Sequence, residues 1–199
     1  MPTQYYLYDI FRHWECTDGR HKNSVWFISD PHFNDAEAKE FRRNYIGDDE
    51  LVKSINRKVN KNDTLVILGD IGNIEFIKKL RGYKVLIKGN HDSGVSNYRR
   101  FQHCLVDYYE IIDTHLFDEV YEGTLQISPK IILSHEPVEY KYCFNIHGHD
   151  HSNAYKKEHH LNVCCELINY TPVSLKDIVT SGKLKHIPDI HREAIEKRI

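Results

Sequence analysis

Short apolar runs that alternate with helical patterns occupy the first half of the chain. Unbroken apolar runs at residues 25–28, 65–68 and 85–87 are typical of buried strands. Between the first two runs, apolar residues recur with helical period and predict a helix over about 49–59, with acidic residues in its first turn. Asn73 is placed to cap a second, short helix. This alternation is typical of α/β proteins.

Strand-like runs dominate the second half, where the helical period fades after residue 105. A short helix is predicted to start near Ser174, and a charged helix is predicted over 188–198. The pattern therefore predicts an α/β protein whose second half is mostly sheet. The strand-like runs lie at 109–112, 117–121, 125–127, 131–133, 144–146 and 161–165.

Nothing in the sequence marks a boundary between domains. Because the chain has no internal repeat, low-complexity tract or Pro/Gly/Ser-rich linker, we predict a single domain over residues 1–199. Residues 1–24 are a Tyr-rich N-terminal extension ahead of the first strand. We expect this extension to add a strand that covers the edge of a sheet, in preference to an oligomer contact or a substrate flap.

Composition narrows the class of protein and its partners. The 27 Lys and Arg against 29 Asp and Glu leave a net charge of −2, which disfavours a basic platform for long nucleic acid. No apolar run approaches the ~18 residues of a spanning helix, and the N-terminus lacks a secretory pattern, so we expect a cytoplasmic protein without membrane contact. The five cysteines lack Cys-x-x-Cys spacing and are expected to be reduced core thiols. Assembly into a homo-oligomer stays an open alternative.

Polar residues of metal-ligand type follow apolar runs directly at five places. In open α/β sheets, ligands bind beyond the carboxyl ends of the strands, so these residues are expected to share one rim. Each segment alone is an ordinary turn, but turn chemistry gives no reason for histidine after four separate runs. The five segments are Asp30-Pro31-His32, Gly69-Asp70, Gly89-Asn90-His91-Asp92, Ser134-His135 and His147-Gly148-His149-Asp150-His151.

The spacing and type of these residues indicate two cations. Asp30 and His32 are two residues apart, as are His149 and His151, so each pair can face one side in extended backbone. Asp70 is the natural bridge, because one carboxylate can hold two cations about 3.5–4 Å apart. Mixed nitrogen and oxygen ligands favour Mn, Fe, Co, Ni or Zn over Mg or Ca.

Together the five segments resemble the motifs of the calcineurin-like metallophosphoesterases: Asp-x-His, Gly-Asp, Gly-Asn-His-Asp/Glu, a single His, and Gly-His-x-His. All five occur in that order, and the resemblance spans residues 25–178. Residues 169–175 also look like the tail of small bacterial and phage members. The second motif departs from the Gly-Asp-x-x-Asp form of larger members, because Asn73 takes its last position. The resemblance implies two packed mixed β-sheets flanked by helices, the four-layer sandwich of that superfamily.

The resemblance also implies a cofactor of two divalent or transition metal ions and a role for each motif residue. Mn is the ion that we expect to support activity in vitro. His91 and Asp92 are the catalytic residues that it implies: His91 would lie over the substrate phosphate and assist the leaving oxygen, and Asp92 would orient it. The resemblance assigns one cation to Asp30, His32, Asp70 and His151, and the other to Asp70, Asn90, His135 and His149. His147 belongs to neither ligand set, and we expect it to be a structural residue or to support a ligand.

The function implied is dinuclear-metal-dependent hydrolysis of a phosphoester. The two ions would lower the pKa of a shared water toward ~7, and the resulting hydroxide would attack phosphorus in line. We favour a phosphodiester or nucleotide substrate, because no large cap insertion interrupts the motifs. Asn34, Arg42 and Arg43 are candidates for contacts with substrate phosphate. Activity is expected to fall as pH drops through the imidazole range, since the ligand histidines must be neutral.

Three alternatives to this function stay open. The chain could be a phosphomonoesterase or protein phosphatase of the same superfamily, which hydrolysis of mono- and diester substrates would discriminate. It could be a nuclease, although its balanced charge disfavours work on long polymers. It could also be a scaffold that uses this fold for protein contacts, as a retromer subunit does. That subunit lacks several ligand-type residues, whereas every ligand position is filled here.

Overall fold

The structure is a computed structural model that describes residues 7–15, 23–42, 44–92, 95–96, 112–113 and 116–188. Three sequence predictions therefore fall wholly or largely outside the described residues. They are the helix over 188–198 beyond Pro188, most of the strand-like run at 109–112, and the substrate contact assigned to Arg43.

The described residues form an α/β protein with two mixed sheets and few helices. The strands are β1 (Val25–Ile28), β2 (Thr64–Ile67), β3 (Tyr83–Ile87), β4 (Val95–Ser96), β5 (Ile112–Asp113), β6 (Glu119–Tyr121), β7 (Leu125–Ser128), β8 (Ile131–Leu133), β9 (Phe144–His147), β10 (His160–Asn162) and β11 (Val173–Ser174). The α-helices are α1 (Ala36–Phe41), α2 (Asp48–Lys58) and α3 (Leu175–Thr180). Short 3-10 helices span Asp9–Glu15, Ile74–Lys79, Cys165–Ile168 and Lys183–His186.

Parallel pairing brings the strand ends that carry the motifs to common edges. The first sheet has the order β11-β1-β2-β3-β6, in which only β11 is antiparallel to its neighbour. The second sheet has the order β10-β9-β8-β7, in which only β7 is antiparallel. Since parallel strands end at the same edge, the loops after β1, β2 and β3 are neighbours, and so are the loops after β8 and β9. Strands β4 and β5 form a separate parallel pair.

Alternating residues of the first sheet belong to two different cores. Phe27 and Val66 join residues of the second sheet such as Leu133 in one buried cluster. Ile28 and Ile67, their neighbours along the strands, belong to a second cluster that also contains residues of α2. Because these strands are buried on both faces, they are unbroken apolar runs in the sequence.

Several predicted elements are confirmed. The run at 25–28 is β1 and the run at 131–133 is β8. The helix predicted over 49–59 is α2, and the predicted cap is present, since Asn73 Oδ1 accepts the Glu75 N–H (2.9 Å). The helix predicted to start near Ser174 is α3, and Ser174 caps it, since its Oγ accepts the Asp177 N–H (3.0 Å). The element after Asn73 is a 3-10 helix. No helix in the described ranges is long and apolar enough to cross a membrane.

Of the N-terminal extension the structure describes residues 7–15 and 23–24, and there residues 9–15 form a 3-10 helix and not the expected edge strand. The rest of the extension lies outside the described residues. Leu7, Phe11 and Trp14 are buried in the cluster shared by the two sheets. Their spacing of four and three residues is helical, which explains why the segment does not alternate as a strand would. Thr64 Oγ1 also donates a hydrogen bond to the Trp14 carbonyl (2.8 Å), which ties the segment to the start of β2.

The run at 161–165 is also only partly a strand. Strand β10 ends at Asn162, and Cys165 begins a 3-10 helix. The Asn162 side chain accepts the Cys164 N–H (3.0 Å), and Cys164 forms a single bridge with Ser29 beyond the end of β1. The chain therefore crosses from the second sheet to the first at this point.

Candidate metal centre

The predicted ligands lie in the loops that follow the strand ends, and the backbone there is strained. Asp30, His32, Asp70 and His149 all have positive φ, between 40° and 65°. This left-handed region is costly for residues with a Cβ atom, and such strain is concentrated at functional sites. Tight turns of this kind let consecutive side chains leave the strand ends in directions that an extended chain would not allow.

The structure brings one group of predicted ligands together at the end of β1. Ligand atoms of Asp30, His32 and His151 all lie within 4.8 Å of one another. Asp30 Oδ1 is 3.4 Å from His151 Nε2 and 3.8 Å from His32 Nε2. His32 Nε2 is also 3.8 Å from Asp70 Oδ2. These are the four residues that the resemblance assigns to one cation.

A second group lies on the other side of Asp70. Ligand atoms of Asp70, His135 and His149 also lie within 4.8 Å of one another. His135 Nε2 is 3.3 Å from Asp70 Oδ2 and 2.9 Å from Asn90 Oδ1. His149 Nδ1 is 3.2 Å from both Asn90 Oδ1 and His135 Nε2. The four residues assigned to the other cation are therefore adjacent as well.

Asp70 lies between the two groups. Its Oδ1 accepts the backbone N–H of His91 (3.0 Å), which leaves Oδ2 facing His32 on one side and His135 on the other. The loop after β3 packs tightly against this carboxylate: a Cβ on Gly89 would lie 2.2 Å from Asp70 Oδ1. Only glycine at position 89 allows the two loops to approach this closely.

The spacing of these atoms fits metal ions. Bonds of about 2.1 Å place neighbouring ligand atoms about 3.0–3.4 Å apart around a tetrahedral or octahedral ion. The second group has separations of 2.9–3.3 Å, and the first group is more open, at 3.4–3.8 Å. Asp30 is fully buried, yet its Oδ1 accepts no hydrogen bond from the described residues. A buried carboxylate oxygen without a partner is costly, and a cation at this position would satisfy it. The residues present therefore fit two cations.

Three ligand histidines are held by a group on the other ring nitrogen. Asp35 Oδ2 lies 3.2 Å from His32 Nδ1, and the Leu68 carbonyl lies 2.7 Å from His135 Nδ1. Glu166 Oε1 lies 2.5 Å from His151 Nδ1. Such partners fix the ring orientation and leave Nε2 free to bind a metal.

The protonation of the ligands without metal follows from these contacts. Burial alone would lower the pKa of His135, but the Asp70 and Asp30 carboxylates outweigh it and raise that pKa to about 9. The hydrogen bond with Glu166 raises the pKa of His151, whereas burial lowers the pKa of His32. A cation that binds at His135 therefore displaces a proton, as cations commonly do at histidine sites.

Two predicted site residues are buried and form hydrogen bonds with the backbone of the motif loops. Asp92 is buried, and its carboxylate accepts the backbone N–H groups of Gly89, Asp70 and Ile71 (2.7–3.0 Å). It therefore clamps the loops after β2 and β3, and among the described residues it makes no hydrogen bond with the His91 ring. Arg42 is 7% exposed and donates to the carbonyls of Asp30 and Pro31, so it supports the backbone of the first motif.

The remaining predicted residues lie around the centre. His91 is exposed, and its ring centroid is 5.6 Å from that of His32, beside the first group. Asn34 is exposed on the first loop, where its backbone N–H donates to Asp48 (3.2 Å). His147 is buried with Nδ1 2.9 Å from the Gly148 carbonyl, and it belongs to neither group.

Sequence reasoning missed Asp35, Glu166 and Cys164. Cys164, His151 and Glu166 form a third cluster of possible ligand atoms. However, the Cys164 thiol donates to Asp30 Oδ2 (3.2 Å), and burial raises its pKa far above the usual range. A protonated thiol is a poor ligand, so Cys164 positions Asp30. Only Asp35 leaves a sequence signal, as a carboxylate three residues after a ligand histidine.

Comparison with known proteins identifies relatives whose own functions are not described. No family model matches the chain. The protein is 30% identical over 180 residues to the uncharacterized protein MJ1445 of Methanocaldococcus jannaschii, an alignment that covers 78% of this chain and 89% of MJ1445. The chain belongs to the family of MJ1445.

A solved structure extends the MJ1445 comparison to the fold. The protein of unknown function AQ665 from Aquifex aeolicus matches 80% of this chain and 99% of its own, with a TM-score of 0.55 and 23% identity. At this identity the match shows a shared fold only. The functional argument for this member of the MJ1445 family therefore comes from the candidate metal centre.

Proposed function

We propose that this protein is a metal-dependent phosphoesterase of the calcineurin-like type, with two cations and a phosphodiester or nucleotide substrate. The observation that carries the proposal is the position of Asp70, whose Oδ2 lies between two groups of nitrogen and oxygen ligands. A single carboxylate oxygen placed in this way is the feature that a pair of closely spaced cations requires. The four-layer sandwich with helices outside both sheets is part of the same proposal.

The cations themselves would be of the Mn, Fe, Co, Ni or Zn class. Four of the seven proposed ligands are histidines, and hard cations such as Mg²⁺ and Ca²⁺ prefer all-oxygen sites. When bound, the cations would activate water for attack on phosphorus and neutralise charge on the phosphate oxygens.

The chain's own groups supply the rest of the chemistry. His91 is exposed beside His32, with its backbone held by Asp70, so its ring is available to contact a substrate phosphate and to protonate the leaving oxygen. Asp92 holds the loop that carries His91 through three backbone hydrogen bonds. The substrate side of the centre is formed by exposed residues, Asn90, His91, His149 and His151. An open rim of this kind supports a substrate with groups on both sides of the phosphate.

The proposal is tested by removing the Asp70 carboxylate, the proposed bridge between the two cations. We expect the wild-type protein to bind two equivalents of Mn²⁺ and to hydrolyse bis-p-nitrophenyl phosphate faster than p-nitrophenyl phosphate. Asp70→Ala should lose both cations and lower turnover by at least about 10³-fold, because the reaction depends on them. Asp49→Ala, an exposed carboxylate paired with Lys79 on the surface, is the matched control and should behave as wild type. Full turnover by Asp70→Ala would refute the proposal, and a clear preference for the monoester would reverse the substrate assignment.

A further inference from the structure

A basic cavity lies beside the candidate metal centre. Its volume is about 780 Å³, and it is formed by β10, the loop that precedes it and the 3-10 helix Lys183–His186. Exposed lysines line it from both sides, Lys156 and Lys157 on the loop and Lys183 and Lys185 on the helix. We refer to it as the lysine groove.

The charge of the lysine groove is largely uncompensated. Lys157 pairs with Glu139, and among the described residues of the lining only Glu158 is acidic. Within the part of the chain that the structure describes, Lys156, Lys183 and Lys185 form no ion pair. The chain as a whole carries a net charge of −2, so this concentration of ammonium groups is local. A concave surface with one sign of charge attracts ligands of the other sign.

The lysine groove begins where the metal loop ends. Asn153 lines it and is two residues from His151, so their Cα atoms lie within about 7.6 Å of each other. Asn162, also in the lining, donates through its side chain to the Asp150 carbonyl (2.7 Å). On the opposite wall, Leu167 follows Glu166, which holds His151. A ligand bound at the centre could therefore continue into the groove.

The chemistry of the lining selects phosphates over bases. Ammonium groups and side-chain amides bind phosphate oxygens, whereas single-stranded bases are bound by stacking on aromatic rings. Among the described residues of the lining the aromatic rings are two imidazoles, with no Phe, Tyr or Trp: His160 is 8% exposed and offers no face for stacking, and His186 is a single exposed ring on the helix. The ligand that fits is a chain of phosphate groups.

We propose that the lysine groove binds a short chain of phosphates that extends from the ester at the metal centre. The inference depends on the proposed function only for the position of that ester. Inorganic tripolyphosphate and the backbone of a short oligonucleotide are the two sources of such a chain.

The first experiment measures binding without metal. Tripolyphosphate is titrated by calorimetry into metal-free wild type and into the variant Lys156→Gln/Lys183→Gln/Lys185→Gln. At about 50 mM salt we expect the variant to lose at least about tenfold in affinity, because three phosphate contacts are removed. The matched control, Lys58→Gln/Lys61→Gln/Lys78→Gln, removes three exposed lysines elsewhere and should bind as wild type. A variant with arginine at the same three positions should retain binding. This result would show that the glutamine variant loses affinity because it loses charge and not because it misfolds.

The second experiment identifies the source of the phosphates. A thymidine pentanucleotide is titrated over a range of salt concentrations. If it occupies the groove, the log–log salt slope should be smaller in the glutamine variant by about 2, from three contacts at about 0.7 each. Binding of either probe that depends on the groove lysines supports the inference, and the probe that binds names the source. Equal binding by wild type and the groove variant, or binding of neither probe, would overturn it. Because these titrations use no metal and no turnover, a failure of the proposed phosphoesterase activity would be seen separately, in the hydrolysis assay.

Discussion

At the scale of single residues, the candidate centre depends on side chains outside the proposed ligand set. Glu166 and Asp35 hold two ligand rings, Cys164 holds Asp30, and Asp92 holds the backbone of two loops. Each of these groups is joined to its target by a hydrogen bond that fixes a position or a ring orientation. The affinity of the centre for metal is therefore expected to respond to changes outside the ligand set.

Glu166→Gln tests this directly. The substitution keeps an acceptor near His151 but removes the charge that holds the ring, so the affinity of the first cation site should fall about 10–100-fold. Competition with a chelating dye measures this affinity. Glu50→Gln, on the surface of α2, is the control and should change nothing. Unchanged affinity in Glu166→Gln would mean that the ring is held by other contacts.

Gly89→Ala tests the close approach of two loops. The added Cβ would lie 2.2 Å from Asp70 Oδ1 and 2.8 Å from the Asp70 nitrogen, so the bridging carboxylate must move. We expect loss of bound Mn²⁺ at both sites, measured by elemental analysis after gel filtration. A Cβ on Gly123 would meet nothing within 4 Å, and the strain that its φ of 72° adds is confined to a turn that carries none of the predicted ligands, so Gly123→Ala should keep both cations. Two cations in Gly89→Ala would show that the loops can separate without cost.

The ligands could be predicted from the sequence because each one follows an apolar strand directly. Their supporting residues could not, because the contacts join distant positions: Glu166 is 15 residues from His151, and Cys164 is 134 residues from Asp30. The sequence places Arg42 near the first motif, which makes it a candidate for a substrate contact. It gives no local signal that this long basic side chain is buried. Its two backbone carbonyl partners explain how such burial is tolerated.

At the scale of elements, the N-terminal 3-10 helix closes the core around one buried carboxylate. Glu119, at the start of β6, has no exposed surface and accepts hydrogen bonds from Trp14, Tyr83 and Tyr121, with His13 also in contact. Burial alone would raise the pKa of Glu119, but these hydrogen bonds outweigh burial and lower it below 4.5. The charged form therefore stabilises the folded state.

Glu119→Gln should show this contribution as a pH-dependent change in stability. A lowered folded pKa stabilises the protein above pH 4.5, and the effect is lost as pH falls through the folded value. We expect the free energy of unfolding of the variant to be about 2 kcal/mol lower than that of wild type at about pH 7. The difference should narrow below pH 4.5.

Urea unfolding followed by circular dichroism measures the difference at each pH. The control is Glu75→Gln, whose exposed pair with Lys78 should contribute little at any pH. A difference between wild type and Glu119→Gln that stays constant across the pH series would contradict the role given to the charge.

The extent of the elements could be predicted where the hydrophobic pattern, an unbroken run or a helical period, was strong and local. Strands buried on both faces, such as β1, and helix α2 are examples. The six-residue helix α1 has too few turns to show a period. The end of β10 was misplaced because the chain leaves the sheet there to reach Ser29, a tertiary contact that overrides the β propensity of the apolar run.

At the scale of the whole molecule, the proposed cations join the two sheets. Asp30, Asp70 and Asn90 follow strands of the first sheet, whereas His135, His149 and His151 follow strands of the second. The described cysteines are free, so metal would be a cross-link of a kind that the covalent structure does not provide. The strand order within each sheet, and the meeting of the two sheets at one rim, could not be predicted from the sequence. The sequence shows where strands lie along the chain but not which strands are neighbours.

Metal removal should therefore lower the stability of the entire protein. Each cation that binds only the folded state adds about 2.7 kcal/mol when present at about 100 times its Kd. We expect EDTA to lower the thermal midpoint of wild type, and to leave that of Asp70→Ala unchanged. Calorimetry compares the two proteins with and without chelator. An equal shift in both would show that metal stabilises the protein elsewhere.

The measurement that tests the central claim most directly is anomalous diffraction from crystals grown with Mn²⁺. The account predicts two anomalous peaks about 3.5–4 Å apart, one among Asp30, His32 and His151 and the other among Asn90, His135 and His149, both in contact with Asp70 Oδ2. A single peak, no peak at this rim, or two peaks that do not share Asp70 would contradict it.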